Sequence, residues 1–186
     1  NPDVSRELVN DYNIYYQNAA PRSAAADDGF RRLLFAVLME SALQCDAVRR
    51  KADLAALAMV LNAGTAGFAT LAGCGLGVAG LRPALLAMTV GPYLPWTELP
   101  SEGPARSLAN EELRRKTAAL PEAVRIDLFN LIRFPKSSIT HCGRVIEALR
   151  DRYFNGIDFN TVLSELSGTR AHWINRHYRE GPLKRG

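Results

Sequence analysis

The sequence predicts an all-α protein: a compact multi-helix domain of about eight to ten helices, with a Gly/Ala-rich central segment and a Pro-rich connector. Apolar residues recur at spacings of three and four through most of the chain, which is the period of an amphipathic helix. Residues that cap helices precede these segments, and glycine or proline follows them. The chain of 186 residues is long enough for one domain with a sizeable core.

Two helices are predicted in the first part of the chain. The first covers Asp3 to Gln17, where apolar residues lie about one turn apart. The second covers Gly29 to Lys51, and Asp27 or Asp28 can cap it because a carboxylate accepts the free backbone N–H groups of the first turn. One apolar stripe runs along this second helix and consists of Phe30, Leu33, Leu34, Val37, Leu38, Ser41, Cys45 and Val48.

The central segment, Leu54 to Leu81, contains no charged residue. Its alanines and leucines favour a helix that ends at Leu61 and lies at the centre of the domain, surrounded by others. The glycines that follow weaken helix progressively, so a loop that packs through its backbone is expected after it. Pro83 suits the first turn of a short helix that runs through Val90.

A Pro-rich connector, Tyr93 to Pro104, separates two halves of the chain. It has no helical period, which predicts an extended segment and a candidate hinge. The halves are residues 1–92 and 107–186, with residues 93–106 between them. We expect the two halves to form one domain overall.

Two helices are predicted directly after the connector. Ser107 can cap the first, Leu108 to Ala119. Pro121 starts the second, which ends before Pro135 because the residue before a proline avoids the helical region. The stretch VRIDL alternates like a strand, but the proline start and the length of the apolar pattern favour a helix.

Three further helices complete the prediction, each with a preceding or first residue whose side-chain oxygen can cap it. They begin after Ser137 or Ser138, after Asp158 and at Thr169, and they end at Asn155-Gly156, Ser167 and Gly181-Pro182. Asparagine and glycine suit these ends because they adopt left-handed backbone readily. The residues beyond Pro182 are expected to be frayed.

Composition places the chain among ordinary globular proteins with a mild excess of positive charge. The net charge is +4 and the pI is near 9.2, a weak indication of an acidic partner. The mean hydropathy of −0.10 argues against a mainly membrane-embedded chain. Cys45, Cys74 and Cys142 form no C-x-x-C pair, so neither a cysteine zinc site nor a disulfide framework is expected. The cytoplasm or another reducing, intracellular compartment fits this cysteine usage best.

Residues 75–80 match the dinucleotide-binding pattern G-x-G-x-x-G. In such a site the glycines follow a buried strand and open a helix, so that a pyrophosphate meets the free N–H groups at the helix N-terminus. The residues before Gly75 lack a β-branched run, and Leu81-Arg82-Pro83 follows where the helix should grow. We therefore predict neither a nucleotide nor any other cofactor here.

Two other interpretations of this segment are open. Residues 54–90 would insert into a membrane as a hairpin, although the many glycines make them only moderately apolar. Alternatively, the small residues allow close backbone contact within the chain or with a partner subunit. This interpretation is favoured, and the candidate interface residues are Gly64, Gly67, Gly73, Gly75, Gly77 and Gly80.

No local motif indicates catalysis or a metal site. His141 and Cys142 are neighbours, and neighbours on a helix point about 100° apart, so they do not form a catalytic pair. Cys142 instead fits the apolar stripe of its helix. His172 and His177 are five residues apart, whereas two metal ligands on one helix face are four apart. We predict no catalytic residue and no metal.

The C-terminal stretch from Thr169 to Arg185 combines arginines with aromatic rings. Arginine forks match phosphate oxygens, and planar rings stack on exposed bases. The same rings can equally anchor the last helix on the core, with the arginines in solvent. The candidate nucleic-acid-binding residues are Arg144, Arg170, His172, Trp173, Arg176, Tyr178, Arg179, Lys184 and Arg185.

The function predicted from these features is that of a non-enzymatic structural or assembly protein. It would pack against partner subunits, as a homo- or hetero-oligomer, and bind a polyanion such as RNA with its basic residues, as coat proteins and nucleoproteins do. A membrane-associated helical protein that inserts residues 54–90 is the first alternative. An enzyme of unrecognised type is the second, because active sites assemble from distant residues.

Overall fold

The computed structural model describes residues 28–44, 52, 55–59, 61, 65–91, 93–164 and 169–184. The predicted helix over Asp3 to Gln17, the stripe positions Cys45 and Val48, and the candidates Gly64 and Arg185 lie outside these ranges.

The described residues are mostly helical and include no β-strand, which confirms the all-α prediction. Nine helices fall within these ranges, against the eight to ten expected. One of them is the helical stretch at residues 55–59. The others are α1 (Asp28–Gln44), α2 (Thr65–Leu71), α3 (Pro83–Thr89), α4 (Gly103–Ala118), α5 (Glu122–Arg133), α6 (Pro135–Phe154), α7 (Phe159–Ser164) and α8 (Thr169–Glu180).

Helix α1 buries the first part of the apolar stripe predicted for it. The ring of Phe30 meets that of Phe159 in α7 edge-on, with the ring centres 5.0 Å apart. Gly29 allows this approach, because a Cβ there would lie 2.5 Å from the backbone nitrogen of Asn160. The stripe residues that are at most 2% exposed are Phe30, Leu33, Leu34, Val37 and Leu38.

Helix α3 is the helix that other helices surround. The six residues from Pro83 to Met88 are all buried. A helix that is apolar on every side has to be covered on every side, and α3 contacts α4, α5 and α6. The prediction that the helix up to Leu61 is the one surrounded by others was wrong. The helical stretch there is one-sided, with Leu57 buried and Met59 77% exposed.

Residues 72–82, named the glycine loop, connect α2 to α3. Leu76 and Leu81 form an isolated antiparallel bridge with backbone hydrogen bonds of 2.9 and 2.8 Å. Between them, Gly77 and Gly80 have φ angles of 68° and 62°, which L-residues with a Cβ rarely adopt. A Cβ at Gly77 would also lie 2.5 Å from the carbonyl oxygen of Ile132 in α5. Gly77 therefore allows close backbone contact between the glycine loop and α5.

Two long-range hydrogen bonds hold the glycine loop against α6 and α8. The N–H of Ala79 donates to Oγ of Ser138 at 3.4 Å. The hydroxyl of Tyr178 donates to the carbonyl oxygen of Ala79 at 2.7 Å. Because Ser138 and Tyr178 are buried, water does not replace these bonds.

Changing Tyr178 to Phe is therefore expected to lower the free energy of unfolding by about 1–2 kcal/mol, because the Ala79 carbonyl loses its buried donor. Urea denaturation measures the change. Tyr93 is 41% exposed, and Tyr93→Phe is a matched control that should change the value by less than about 0.5 kcal/mol. Equal stability of both variants and the wild type would contradict the assigned hydrogen bond.

Two predicted helix starts were wrong. Helix α4 begins at Gly103 rather than after Ser107, and α6 begins at Pro135 rather than after Ser137 or Ser138. In both helices a proline occupies one of the first two positions, where its missing N–H leaves no bond unmade and its φ suits the helix. The hydroxyl of Ser138 accepts a hydrogen bond from the N–H of Ala79 in the glycine loop instead of capping α6.

The predicted end of α6 and the predicted start of α7 are confirmed, whereas the predicted end of α7 at Ser167 lies outside the described residues. Helix α6 ends at Asn155, which has a left-handed φ of 53°, and Gly156 follows with a φ of 70°. Asp158 caps α7 as expected, because its Oδ1 accepts the N–H of Thr161 at 2.8 Å.

The chain after α8 is ordered, which corrects the expectation of fraying for Leu183 and Lys184. Leu183 is 1% exposed and forms a parallel bridge with Leu99 of the connector. The N–H of Lys184 donates to the Leu99 carbonyl at 2.8 Å, and the N–H of Leu99 donates to the Pro182 carbonyl at 2.6 Å. Burial of two leucines therefore ties the connector to the C-terminal segment.

Candidate anion-binding sites

Two of the predicted arginines on α8 form ion pairs with carboxylates of this chain. Arg176 contacts Glu180 at 3.2 Å, and Arg106 of α4 contacts the same carboxylate oxygen at 2.7 Å. Arg179 forms an ion pair with Glu40 of α1. Because carboxylates already balance these charges, Arg176 and Arg179 attract a polyanion less than the sequence alone indicates.

Two of the predicted stacking residues pack against the protein. Tyr178 is 2% exposed, so its ring presents no face to a base, a correction to the predicted stacking surface. Trp173 is half-buried, with its ring centre 6.0 Å from that of Tyr153 and 4.2 Å from that of His177. These rings anchor α8 on α6, which is the alternative that the sequence left open.

The remaining predicted residues lie nearer to solvent and do not form one surface. His172 and Lys184 are exposed, and Arg170 lies 6.0 Å from the ring centre of Phe154. Arg144 is exposed on α6, roughly 15 Å along the helix axis from Phe154. Arg144 therefore belongs to a different part of the molecule from the residues of α8.

The sequence analysis missed further cations that lie at the junction of α5 and α6, about two turns before Arg144. Lys136 and Arg144 lie about two turns apart on one side of α6. Arg133 ends α5, and its guanidinium lies 4.3 Å from the ring centre of Phe134, which is 51% exposed. We name Arg133, Phe134, Lys136 and Arg144 the basic face.

The cations of the basic face have no carboxylate partner within the described residues, unlike Arg176 and Arg179. The first turn of α6 lies at the same place and contains no acidic side chain. Its free backbone N–H groups add partial positive charge to that of Lys136. Adjacent positions in the sequence, Arg133-Phe134-Pro135-Lys136, were the signal that could have identified this face.

Burial lowers the pKa values of two histidines in the second half of the chain. His141 donates from Nδ1 to the Ser137 carbonyl at 2.8 Å, and Arg144 Nη1 lies 3.4 Å from its Nε2. Nδ1 of His177 lies 2.7 Å from the carbonyl oxygen of Trp173. For both rings burial is the main cause of a pKa below the usual 6.5, and a neighbouring arginine adds to it.

These shifts predict that the free energy of unfolding falls as the pH is lowered from 7 towards 5. The unfolded chain takes up protons on the two histidines near pH 6.5, whereas the folded chain does so only at lower pH. Acid therefore favours the unfolded state in this window. Urea titrations across the range should show a smaller slope for the double variant His141→Gln, His177→Gln. His172 is exposed, and the His172→Gln control should keep the wild-type slope. An unchanged slope in the double variant would show that His141 and His177 do not cause the pH dependence.

Cys142 is a core thiol, as its place in the apolar stripe predicted. It is fully buried, and burial raises the pKa of the thiol to about 12, so it is not a nucleophile at neutral pH. Within the described ranges, no three His, Cys, Asp or Glu side chains are grouped so that they could hold a metal ion. Of the helices that the structure describes, none has both the length and the apolar character needed to cross a membrane.

The glycine loop lacks the geometry of a dinucleotide site. A bridge residue, Leu81, follows its last glycine where such a site would begin a helix. Gly77 is buried, whereas Gly73 and Gly80 are partly buried and Gly75 is exposed. The candidate interface residue Gly67 lies in α2 and is partly buried. A role of these glycines at a subunit interface stays a prediction.

Comparison with known proteins identifies no relative: no family model, no curated protein and no solved structure matches the chain.

Proposed function

We propose that the protein is a non-enzymatic helical assembly protein that binds a polyanion such as RNA on its basic face and packs against partner subunits. The observation that carries the proposal is the absence of carboxylate partners for Arg133, Lys136 and Arg144 within the described chain. Exposed cations of this kind neutralise phosphates of a polyanion, and the release of the counterions condensed on those phosphates favours binding.

The half-exposed ring of Phe134 favours a single-stranded polyanion. The Arg133 guanidinium lies over one face of the Phe134 ring, so a base would stack on the other face. An aromatic side chain beside cations offers stacking to an unpaired base while the cations contact the phosphates. A base inside a duplex is already stacked, so single-stranded RNA uses both features and double-stranded RNA uses only the charges.

Packing against partner subunits is supported by apolar side chains that this chain leaves uncovered. Leu108 of α4 is 67% exposed and Ile126 of α5 is 37% exposed. Surplus apolar surface gains free energy when a second subunit covers it. Light scattering across a concentration series tests this part, and a monomer at every concentration would contradict it.

A salt-dependent binding assay tests the polyanion part of the proposal. Fluorescence anisotropy with labelled RNA should show binding at low salt whose affinity falls steeply as salt is added. Single-stranded RNA should bind more tightly than a duplex of equal charge, because only the single strand can stack on Phe134. Absence of binding at low salt would exclude this function.

A further inference from the structure

Arg82 and Arg114 meet at one glycine, between the glycine loop and α4. Nε of Arg82 donates to the carbonyl oxygen of Gly73 at 2.6 Å. Gly73 also faces Arg114, because any side chain at Gly73 would collide with Nε of Arg114. Two guanidinium groups from distant parts of the sequence therefore lie close together.

Neither guanidinium is neutralised by a carboxylate of the described residues. Glu180 is the acidic side chain near Arg82, but it is already bonded to Arg106 and Arg176. Nε of Arg114 is buried and has no hydrogen-bond acceptor in the described part of the chain. The cluster therefore has more positive than negative charge and an unused donor.

The electrostatics of this cluster favour an added anion. Burial, and secondly the charge of Arg114, lower the pKa of Arg82 to about 10. Like charges that are close together and partly removed from water raise each other's free energy. An oxyanion beside them would offset that repulsion and accept hydrogen bonds from the Arg114 fork.

The space beside the pair fits a small ligand with one anionic end. Both arginines line a cavity of about 10 Å³, but this cavity exposes no polar atom and holds at most one water-sized atom, so a phosphoryl group has to lie outside it. Arg114 and Asn110 also line an open groove of about 520 Å³ between α2 and α4. A groove of this volume is typical of small-molecule sites. Its polar lining includes Ser107 and Glu111, whose oxygens can accept hydrogen bonds from ligand hydroxyl groups.

We propose that Arg82 and Arg114 bind the phosphoryl group of a small, hydroxyl-bearing phosphorylated ligand whose body lies in the groove between α2 and α4. The phosphoryl group lies at the end of the groove beside Arg114, and Arg82, which is held at Gly73, adds positive charge to the site. Arginine forks match phosphate geometry, and the fixed Arg82 is pre-organised by Gly73. This site goes beyond the proposed function, because its residues belong to elements other than those of the basic face.

Thermal unfolding in the presence of defined anions tests the proposal. Inorganic phosphate and glucose 6-phosphate, compared with chloride at equal ionic strength, should raise the Tm of the wild type in a saturable way. Glucose 6-phosphate should act at lower concentration than inorganic phosphate, and glucose alone should have no effect. Failure of both phosphates to raise the Tm, or an equal effect of chloride, would overturn the proposal.

Two glutamine variants separate binding from folding. Arg114→Gln should weaken phosphate binding at least tenfold, the effect of losing a charge-assisted hydrogen bond of roughly 1.5 kcal/mol or more. Arg115→Gln is the matched control. Arg115 lines the same groove but is bonded to Glu112 at 2.8 Å, so its loss should change binding by less than about twofold.

Stability without phosphate provides a second readout. Arg114→Gln removes the repulsion from Arg82, so at low salt its Tm should equal or exceed that of the wild type. A lower Tm together with unchanged phosphate affinity would show a purely structural role for Arg114 and overturn the proposal. The affinity of Arg114→Gln for RNA should match that of the wild type. A parallel loss of RNA and phosphate binding would show that Arg82 and Arg114 belong to the RNA-binding surface, and it would overturn the proposal of a separate phosphate site.

Discussion

A variant in which Arg133, Lys136 and Arg144 are changed to glutamine is expected to bind single-stranded RNA about a hundredfold more weakly than the wild type at low salt. Each cation contributes about 1 kcal/mol through phosphate contact, and a total of about 3 kcal/mol corresponds to roughly a hundredfold. The slope of log affinity against log salt should fall by about 2, since three fewer counterions are displaced at about 0.7 per contact on a single strand. Anisotropy titrations at several salt concentrations measure both quantities.

The matched control carries the same change in net charge at cations that already have carboxylate partners. Arg115 and Lys116 pair with Glu112, and Arg179 pairs with Glu40. Changing these three cations to glutamine should reduce RNA affinity by less than about tenfold, through the general loss of positive potential. If the control and the basic-face variant lose affinity equally, RNA responds to net charge alone and the basic face has no special role.

Replacement of Gly77 by alanine is expected to lower the free energy of unfolding by more than about 3 kcal/mol, a substantial part of the stability of a typical domain. The φ of 68° alone costs a residue with a Cβ about 1–2 kcal/mol. The added methyl group would also lie 2.5 Å from the Ile132 carbonyl, so the loop or the end of α5 has to move. Urea denaturation followed by circular dichroism measures the loss.

Gly156 provides the control for this substitution. Its φ of 70° matches that of Gly77, but the nearest atom to an added Cβ is Asp151 Oδ1 at 3.5 Å, an ordinary contact. Gly156→Ala should therefore show only the backbone cost of about 1–2 kcal/mol. An equal loss in the two variants would mean that the contact between the glycine loop and α5 does not constrain position 77.

The helices were predictable from local sequence where an apolar stripe and a stop signal coincided. Helix α1 buries Phe30 to Leu38 as expected, and Asn155-Gly156 ends α6 as expected. The first residues of the helices were less predictable, because a serine that can cap a helix and a proline that suits its first turn lay close together and indicated different starts. At Ser138 the hydroxyl was taken by a backbone N–H from a distant loop, which no local pattern reveals.

The candidate binding surface was predicted in part. Arg144 was a candidate from the sequence and is exposed, whereas Arg176 and Arg179 pair with Glu180 and Glu40. Composition and spacing report how many charges a segment has. The spacing of Arg176 and Glu180 could have indicated their ion pair, but no local pattern reveals that Glu40 on α1 pairs with Arg179.

The sequence alone determined the helical class, because helix period is a local property. The tertiary structure decided which helix is central, which cations lack a partner, and that Arg82 and Arg114 share one glycine. Those outcomes depend on contacts between residues far apart in the chain. Such contacts are selected by the burial and charge balance of the whole molecule rather than by any single segment.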